Sequence, residues 1–361
     1  FENTSCTSCK AQLGFNVDTL KIEAFAQNEK GTLTSFKRGS SRGKHFCSNG
    51  TLHNACNWLI DDLDPNDLCV ACRLNRTIPD LGVGNNLTLW TKIESEKRRL
   101  IYSLLSLSLP LTLQSEDAPE LAFDFLAEST SVDVEVGAVL TGHANGLITL
   151  NINEADSAYR EKMREQMAEP YRTLLGHFRH ESGHYYWDVL VRHSDWLEEV
   201  RNLFGDDALD YSASLKAYYE NGPAENWQLN YVSAYASSHP WEDWAETWAH
   251  YLHIVDTLET ARDFGLQVHP GLSDSEELQA EVELNPYRTK NFRDIINNWL
   301  PLTYALNSLN RSMGHEHAYP FVLSDLVIQK LNLIHRIVQK NMHQIKSIKA
   351  APAAESASSE L

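Results

Sequence analysis

YRTLLGHFRHESGHYYWDVLV, residues 171–191, is the stretch on which the reading of this chain turns. Inside it, His180-Glu181-Ser182-Gly183-His184 sets two histidines four residues apart. On an α-helix such positions sit one above the other on a single face. Both imidazoles can then reach one zinc ion, with Glu181 beside a water on that ion. Pro170 suits the first turn of the helix. Tyr171, Leu174, Leu175, Phe178, Tyr185 and Val189 form an apolar stripe, while His177, His180, His184 and Asp188 share another face. A helix of that kind suits the wall of an active-site cleft. The plain alternative is a surface pair of histidines around a helix-favouring glutamate.

Two histidines need a third protein ligand. The best source is residues 237–256, SSHPWEDWAETWAHYLHIVD. Pro240 fits a first helical position, which puts Glu242 and Glu246 on one face. Glu242 can then ligate the metal while Glu246 hydrogen-bonds a ligand histidine from behind. As an alternative, Glu242 is a third-position carboxylate that caps its helix. Asp243 is the second candidate ligand, but it points about 100° away around the helix. His250 and His253 lie further along and read as core or supporting residues. Tyr235 could reach over the metal and donate to an oxyanion, with His239 as the alternative donor. Packing among aromatics is the blander role for this tyrosine. His315-Glu316-His317 lies in a Gly- and Pro-flanked turn and reads as a surface loop.

All six cysteines fall early in the chain: Cys6 and Cys9, Cys47 and Cys56, Cys69 and Cys72. Two CxxC pairs signal a structural zinc site, because each presents two thiolates on a tight turn. Disulfides in a secreted module are the alternative, and no secretion signal supports them. One ligand set is Cys6, Cys9, Cys69 and Cys72, with Cys47, Cys56, His45 and His53 left over. The other is Cys47, Cys56, Cys69 and Cys72, favoured because it closes a shorter loop. Cys6 and Cys9 would then take partners from residues preceding Phe1.

With 361 residues, the chain can bury a large core in one domain or in several small ones. Its net charge of −18 argues against a general nucleic-acid binder, which needs basic surface for phosphates. Residues 1–80 hold nine Lys+Arg and nine Asp+Glu, so the acidic excess lies beyond them. No apolar run reaches the roughly 18 residues of a membrane span, and a cytoplasmic location is expected. Strands are expected at 57–60, 122–126, 132–140 and 147–152, and within 19–36 around a turn at 28–31. A turn is expected at 142–146, and the hairpin before the HExxH helix offers an edge strand to an extended peptide. Helices are expected at 90–109, 155–168, 292–309 with a break at Pro301, and 321–348. The segment 114–120 reads as a polar loop and the tail from 349 as disordered.

FENTSCTSC, CNWL, LNRTIPDL, TGHANGLITLN, EPYRTLLGHFRHESGHYYWD and SAYASSHPWEDWAETWAHYLHIVDTLETA together carry a resemblance over nearly the whole chain. They resemble a bacterial family of zinc-binding metallopeptidases with an N-terminal zinc ribbon. Family members usually carry a further CxxC before the FEN segment, so the ribbon is expected to be N-terminally incomplete. The resemblance implies a gluzincin-like peptidase and an α+β fold: a β-rich zinc ribbon at 1–78, then a mainly helical zincin-like domain at 79–348. It is also similar locally to the catalytic domain of anthrax lethal factor, whose glutamate helix reads EFFAEAF where this chain has EDWAETW. That similarity implies Glu242 as metal ligand, Glu246 as its supporting carboxylate and Tyr235 as oxyanion partner.

The expectation is one catalytic zinc, at least one structural zinc, and a peptide or protein substrate cut with Glu181 as general base. The ribbon could also hold a protein partner. Competing readings are a zinc-stabilised interaction protein with a vestigial site, and a zinc amide hydrolase that does not act on peptides.

Overall fold

The computed structural model describes residues 2–27, 33–36, 43–112, 120–127, 141–166, 172–271 and 273–350. They divide into two compact units, Phe1–Tyr102 with Leu111–Tyr186, and Ser103–Pro110 with Trp187–Leu361. The α+β architecture implied by the sequence is what the chain adopts, with strands concentrated in the first unit and helices dominating the second.

Five short antiparallel strands open the first unit: β1 (Gln12–Asn16), β2 (Lys21–Gln27), β3 (Leu33–Ser35), β4 (Lys44–Phe46) and β5 (Leu59–Asp61), paired in that order. Side chains alternate across a strand. Phe25, Leu33 and Leu59 therefore meet in a small core, with Phe46 packed against it. The turn expected at 28–31 lies outside the described residues. Helix α1 (Ser48–His53) separates β4 from β5.

The second sheet contains β6 (Asn75–Thr77), β7 (Ala122–Leu126), β8 (Gly142–Ala144) and β9 (Leu147–Asn151) in the order β6-β7-β9-β8. β6, β7 and β9 run parallel, and β8 pairs antiparallel at the edge of the sheet among the described residues. Parallel neighbours need a crossover, which helix α2 (Asn86–Ser106) supplies between β6 and β7. Gly142, His143 and Ala144, expected in a turn, form strand β8 instead. The turn contracts to Asn145 and Gly146, whose φ of 49° and 86° match the left-handed pair of a two-residue hairpin. The strand expected at 132–140 and most of the loop expected at 114–120 lie outside the described residues.

Helix α3 (Ser157–Gln166) precedes α4 (Leu174–Leu190), which carries HESGH. The start of α4 is set by Thr173, whose hydroxyl accepts the Gly176 N–H at 2.9 Å. Pro170, expected in the first turn of this helix, lies outside the described residues. Helix α4 is not a one-sided wall, because every residue from 181 to 187 is buried.

The second unit holds α5 (Leu197–Phe204), α6 (Tyr211–Asn221), α7 (Pro240–Asp263), β10 (Gln267–Val268), β11 (Ala280–Glu281), α8 (Phe292–Ser312) and α9 (Asp325–Ala350). At its centre lies α7, burying Trp244, Trp248, Tyr251, Leu252, Val255 and Leu258. The α9 stripe of Val327, Leu331, Ile334 and Val338 is also buried. Gly205 ends α5 at a φ of 106°, and a Cβ there would stand 3.0 Å from Pro240 Cγ. The positive φ demands glycine, and the contact would be tight for any side chain. Helix α8 runs unbroken through Pro301, contrary to expectation. A proline removes one backbone bond, while burial of Trp299, Pro301 and Leu302 holds the turn in place. None of the described helices is long and apolar enough to cross a membrane.

Candidate metal centres

Cys47, Cys56, Cys69 and Cys72 are all buried, and their four Sγ atoms lie within 4.8 Å of one another. None is in a disulfide. Cys47 precedes α1, Cys56 follows it, and Cys72 opens a 3-10 turn ahead of β6. At Gly50 a Cβ would meet the Cys56 carbonyl at 2.2 Å, so only glycine lets α1 approach this closely. Backbone N–H groups already point at sulfur: Cys69 N lies 3.4 Å from Cys47 Sγ, and Trp58 N 3.4 Å from Cys56 Sγ. Hydrogen bonds from the Cys56, Cys69 and Cys72 thiols hold Cys47 well below the ordinary thiol range.

The set fits zinc. A tetrahedron of Zn–S bonds near 2.3 Å has S···S edges of about 3.8 Å, and Cys56 and Cys69 are 3.8 Å apart. Behind it, the Cys72 thiol points at Glu94 Oε2 at 3.7 Å. Lys97 Nζ donates to Glu94 Oε1 at 2.9 Å and to Asn75 Oδ1. Glu94 and Lys97 are fully buried.

Cys6 is half-buried and Cys9 exposed. They share a tight turn in which Lys10 N bonds the Cys6 carbonyl, and neither joins the four-thiol cluster. His45 pairs with Asp62 and His53 packs edge-on against Trp90, so both stay outside it as well.

On α4, the rings of His180 and His184 lie 4.9 Å apart, nearly perpendicular. His184 is buried, and Glu181 between them is 9% exposed. His143 on β8 stacks at 6.0 Å on His184. Its Nε2 accepts the Gly146 N–H at 2.9 Å, so its proton sits on Nδ1. Burial, and secondarily His184, depress this imidazole to about 3. The other residues expected on the histidine face are engaged elsewhere. His177 faces Glu154, which also binds Arg172 at 2.7 Å, and Asp188 pairs with Arg192.

The start of α7 is built by His239. Its Nδ1 caps the helix by accepting the Trp241 N–H at 3.0 Å, and its Nε2 donates to the Leu209 carbonyl at 3.1 Å. With both nitrogens committed, His239 has no donor left for an oxyanion, which corrects its place as the alternative to Tyr235. Glu242 is 1% exposed, and its Oε1 accepts the Tyr211 hydroxyl at 2.7 Å. Asp243, the other carboxylate considered as a ligand, turns away to Lys330 at 2.6 Å. Glu246 accepts the Ser233 hydroxyl at 2.6 Å. Burial, and secondarily Glu242, push the Tyr235 hydroxyl above the ordinary tyrosine range and keep it a donor. His250 is a core residue bonded to Tyr319 at 2.6 Å, with His253 against its ring. The 315–317 segment is exposed.

One ligand atom from each of His180, His184 and Glu242 lies within 4.8 Å of the others. Two imidazoles and a carboxylate make a donor set that suits zinc and leaves a fourth position open. Among the described residues, the sulfur cluster and this trio are the groups able to hold a metal. Tyr211 and His143 escaped the sequence reading. The Asp210 cap announces the helix that carries Tyr211, but nothing in a spacing of 31 residues ties it to Glu242. His143 was concealed by being read as part of a turn.

A four-thiol cluster in a β-rich N-terminal region and a group of two histidines and a glutamate on two helices are donor sets of the kind zinc-binding proteins use. The family described as "Putative zinc-binding metallo-peptidase" matches residues 86–337, and a zinc-ribbon domain matches residues 1–83. The chain belongs to that metallopeptidase family. Uncharacterized proteins of Mycobacterium bovis and Mycobacterium tuberculosis are 41% identical over 343 residues, covering 94% of this chain and 92% of theirs. No solved structure gives a significant match.

Proposed function

We propose that the protein is a zinc-dependent peptidase that cuts peptide bonds with His180, His184 and Glu242 as metal ligands and Glu181 as general base. The observation that carries this reading is the convergence of one ligand atom from each of the three ligand residues. A zinc ion held there would lower the pKa of a bound water towards about 7 and polarise the scissile carbonyl. Glu181, one residue from His180 and largely shielded from solvent, takes the proton of the attacking water and returns it to the leaving amine. Tyr235, kept protonated by its surroundings, donates to the developing oxyanion. Glu246 steadies a ligand imidazole from behind. Strand β8, antiparallel to β9 and at the edge of the sheet among the described residues, suits an extended peptide that adds to the sheet.

Cys47, Cys56, Cys69 and Cys72 hold a separate structural zinc in this reading, and a thiol-preserving cytoplasmic setting suits them. The test is zinc analysis of the wild type and His184→Ala, alongside digestion of a broad peptide library. Two zinc ions falling to one, with loss of cleavage, is the expected result. Full zinc in His184→Ala, or no cleavage by the zinc-loaded wild type, would contradict it.

A further inference from the structure

Tyr211 sits at the first position of α6, far in sequence from every residue of the proposed site. We propose that it is the positioning residue of Glu242, aiming that carboxylate at the metal. The inference rests on the reading of Glu242 as a ligand.

A buried carboxylate is costly unless its oxygens are hydrogen-bonded. Glu242 is 1% exposed, and the Tyr211 hydroxyl donates to its Oε1 at 2.7 Å. That length is typical of a charge-assisted O–H···O⁻ bond, the stronger kind. It removes a rotational freedom that the carboxylate would otherwise lose only when a metal binds.

The tyrosine is aimed by the same helix turn that it serves. Its ring lies edge-on to His239 at 5.3 Å and to Trp241 at 5.7 Å, the residues bracketing Pro240 just before Glu242. Two residues upstream, the Leu209 carbonyl accepts His239 Nε2. The start of α6 is therefore fastened to the first turn of α7 by backbone, ring and hydroxyl together. Tyr235 has a different task, because its ring packs on Tyr218 and its role is towards the oxyanion. Ligand-supporting groups of this kind typically contribute 10–100-fold to metal affinity.

No residue of α6 is buried, and Tyr211 itself is 36% exposed. Tyr211→Phe keeps the ring between His239 and Trp241 and should fold normally.

The experiment measures zinc release from the purified, zinc-loaded protein to a chromogenic chelator, for the wild type, Tyr211→Phe and Glu242→Ala. The ribbon zinc serves as an internal reference in every trace. Tyr211→Phe is expected to release one zinc about 10–100-fold faster, with the ribbon zinc unchanged. If Glu242→Ala loses its zinc while Tyr211→Phe releases at the wild-type rate, the positioning role is overturned and the ligand reading stands. If Glu242→Ala itself retains both zinc ions at wild-type rates, the ligand reading fails and the inference falls with it.

Discussion

Lys330 on α9 and Asp243 on α7 meet at 2.6 Å, with side-chain exposures of 3% and 0%. Lys330 also donates to the Asn230 carbonyl and lies over the Tyr231 ring at 4.5 Å. Consecutive acidic residues thus part company: Glu242 turns to Tyr211, while Asp243 is neutralised inside the helical unit. An ion pair this buried contributes little net stability when intact, but removing one partner strands the other charge. Lys330→Met should cost about 3–5 kcal/mol, read as a lower urea midpoint. Adding Asp243→Leu should recover most of that loss. A single variant as stable as the wild type would show that the pair carries no such weight.

A second consequence concerns the ribbon. Cys72 is both a member of the four-thiol cluster and a neighbour of Glu94 on α2. Losing it should abolish the structural zinc and disturb the buried Glu94–Lys97 pair at the same time. Cys72→Ser is expected to bind one zinc fewer than the wild type and to melt at lower temperature, with the second zinc still present. Unchanged zinc content by elemental analysis would remove Cys72 from the ligand set.

Much of this was legible in the sequence, for identifiable reasons. HESGH is a local pattern in which spacing fixes geometry, whereas the set of Cys47, Cys56, Cys69 and Cys72 was only favoured, by its shorter loop. The 122–126 strand could be read because it is a short, mostly apolar run with two phenylalanines. The start of the helix that carries Glu242 was legible through Pro240. What stayed hidden depends on tertiary partners. Helix α6 buries nothing, so its pattern is weak, and the Tyr211 contact with Glu242 follows only from the fold. The choice of Lys330 for Asp243 spans 87 residues. Strand β8 was misread because glycine, asparagine and a second glycine crowd five residues, and only two of the five make the turn.

The pH dependence of stability should carry a mark of His335. This fully buried imidazole accepts the Tyr251 hydroxyl on Nδ1 at 3.0 Å and donates from Nε2 to the Lys290 carbonyl at 3.1 Å. Burial holds its pKa below the ordinary histidine value. The unfolded chain therefore takes up a proton below about pH 6.5 that the folded chain refuses. In that window the unfolded state binds more protons, so the contribution is complete above it and is lost as pH falls towards the depressed folded value. Between about pH 7.5 and about pH 5.5, the wild type should lose more thermal stability than His335→Gln. Parallel pH profiles for the two would rule this group out as the source.

Glu181 is expected to work on a water at a metal that it does not itself hold. The most direct test of this role compares zinc-dependent peptide cleavage by the wild type and Glu181→Gln, each at measured zinc content. Equal zinc in both proteins is expected, with a loss of at least about 100-fold in cleavage rate, the lower range for removing a general base. Glu181→Gln that cuts the same peptides at the wild-type rate with its zinc in place would contradict it.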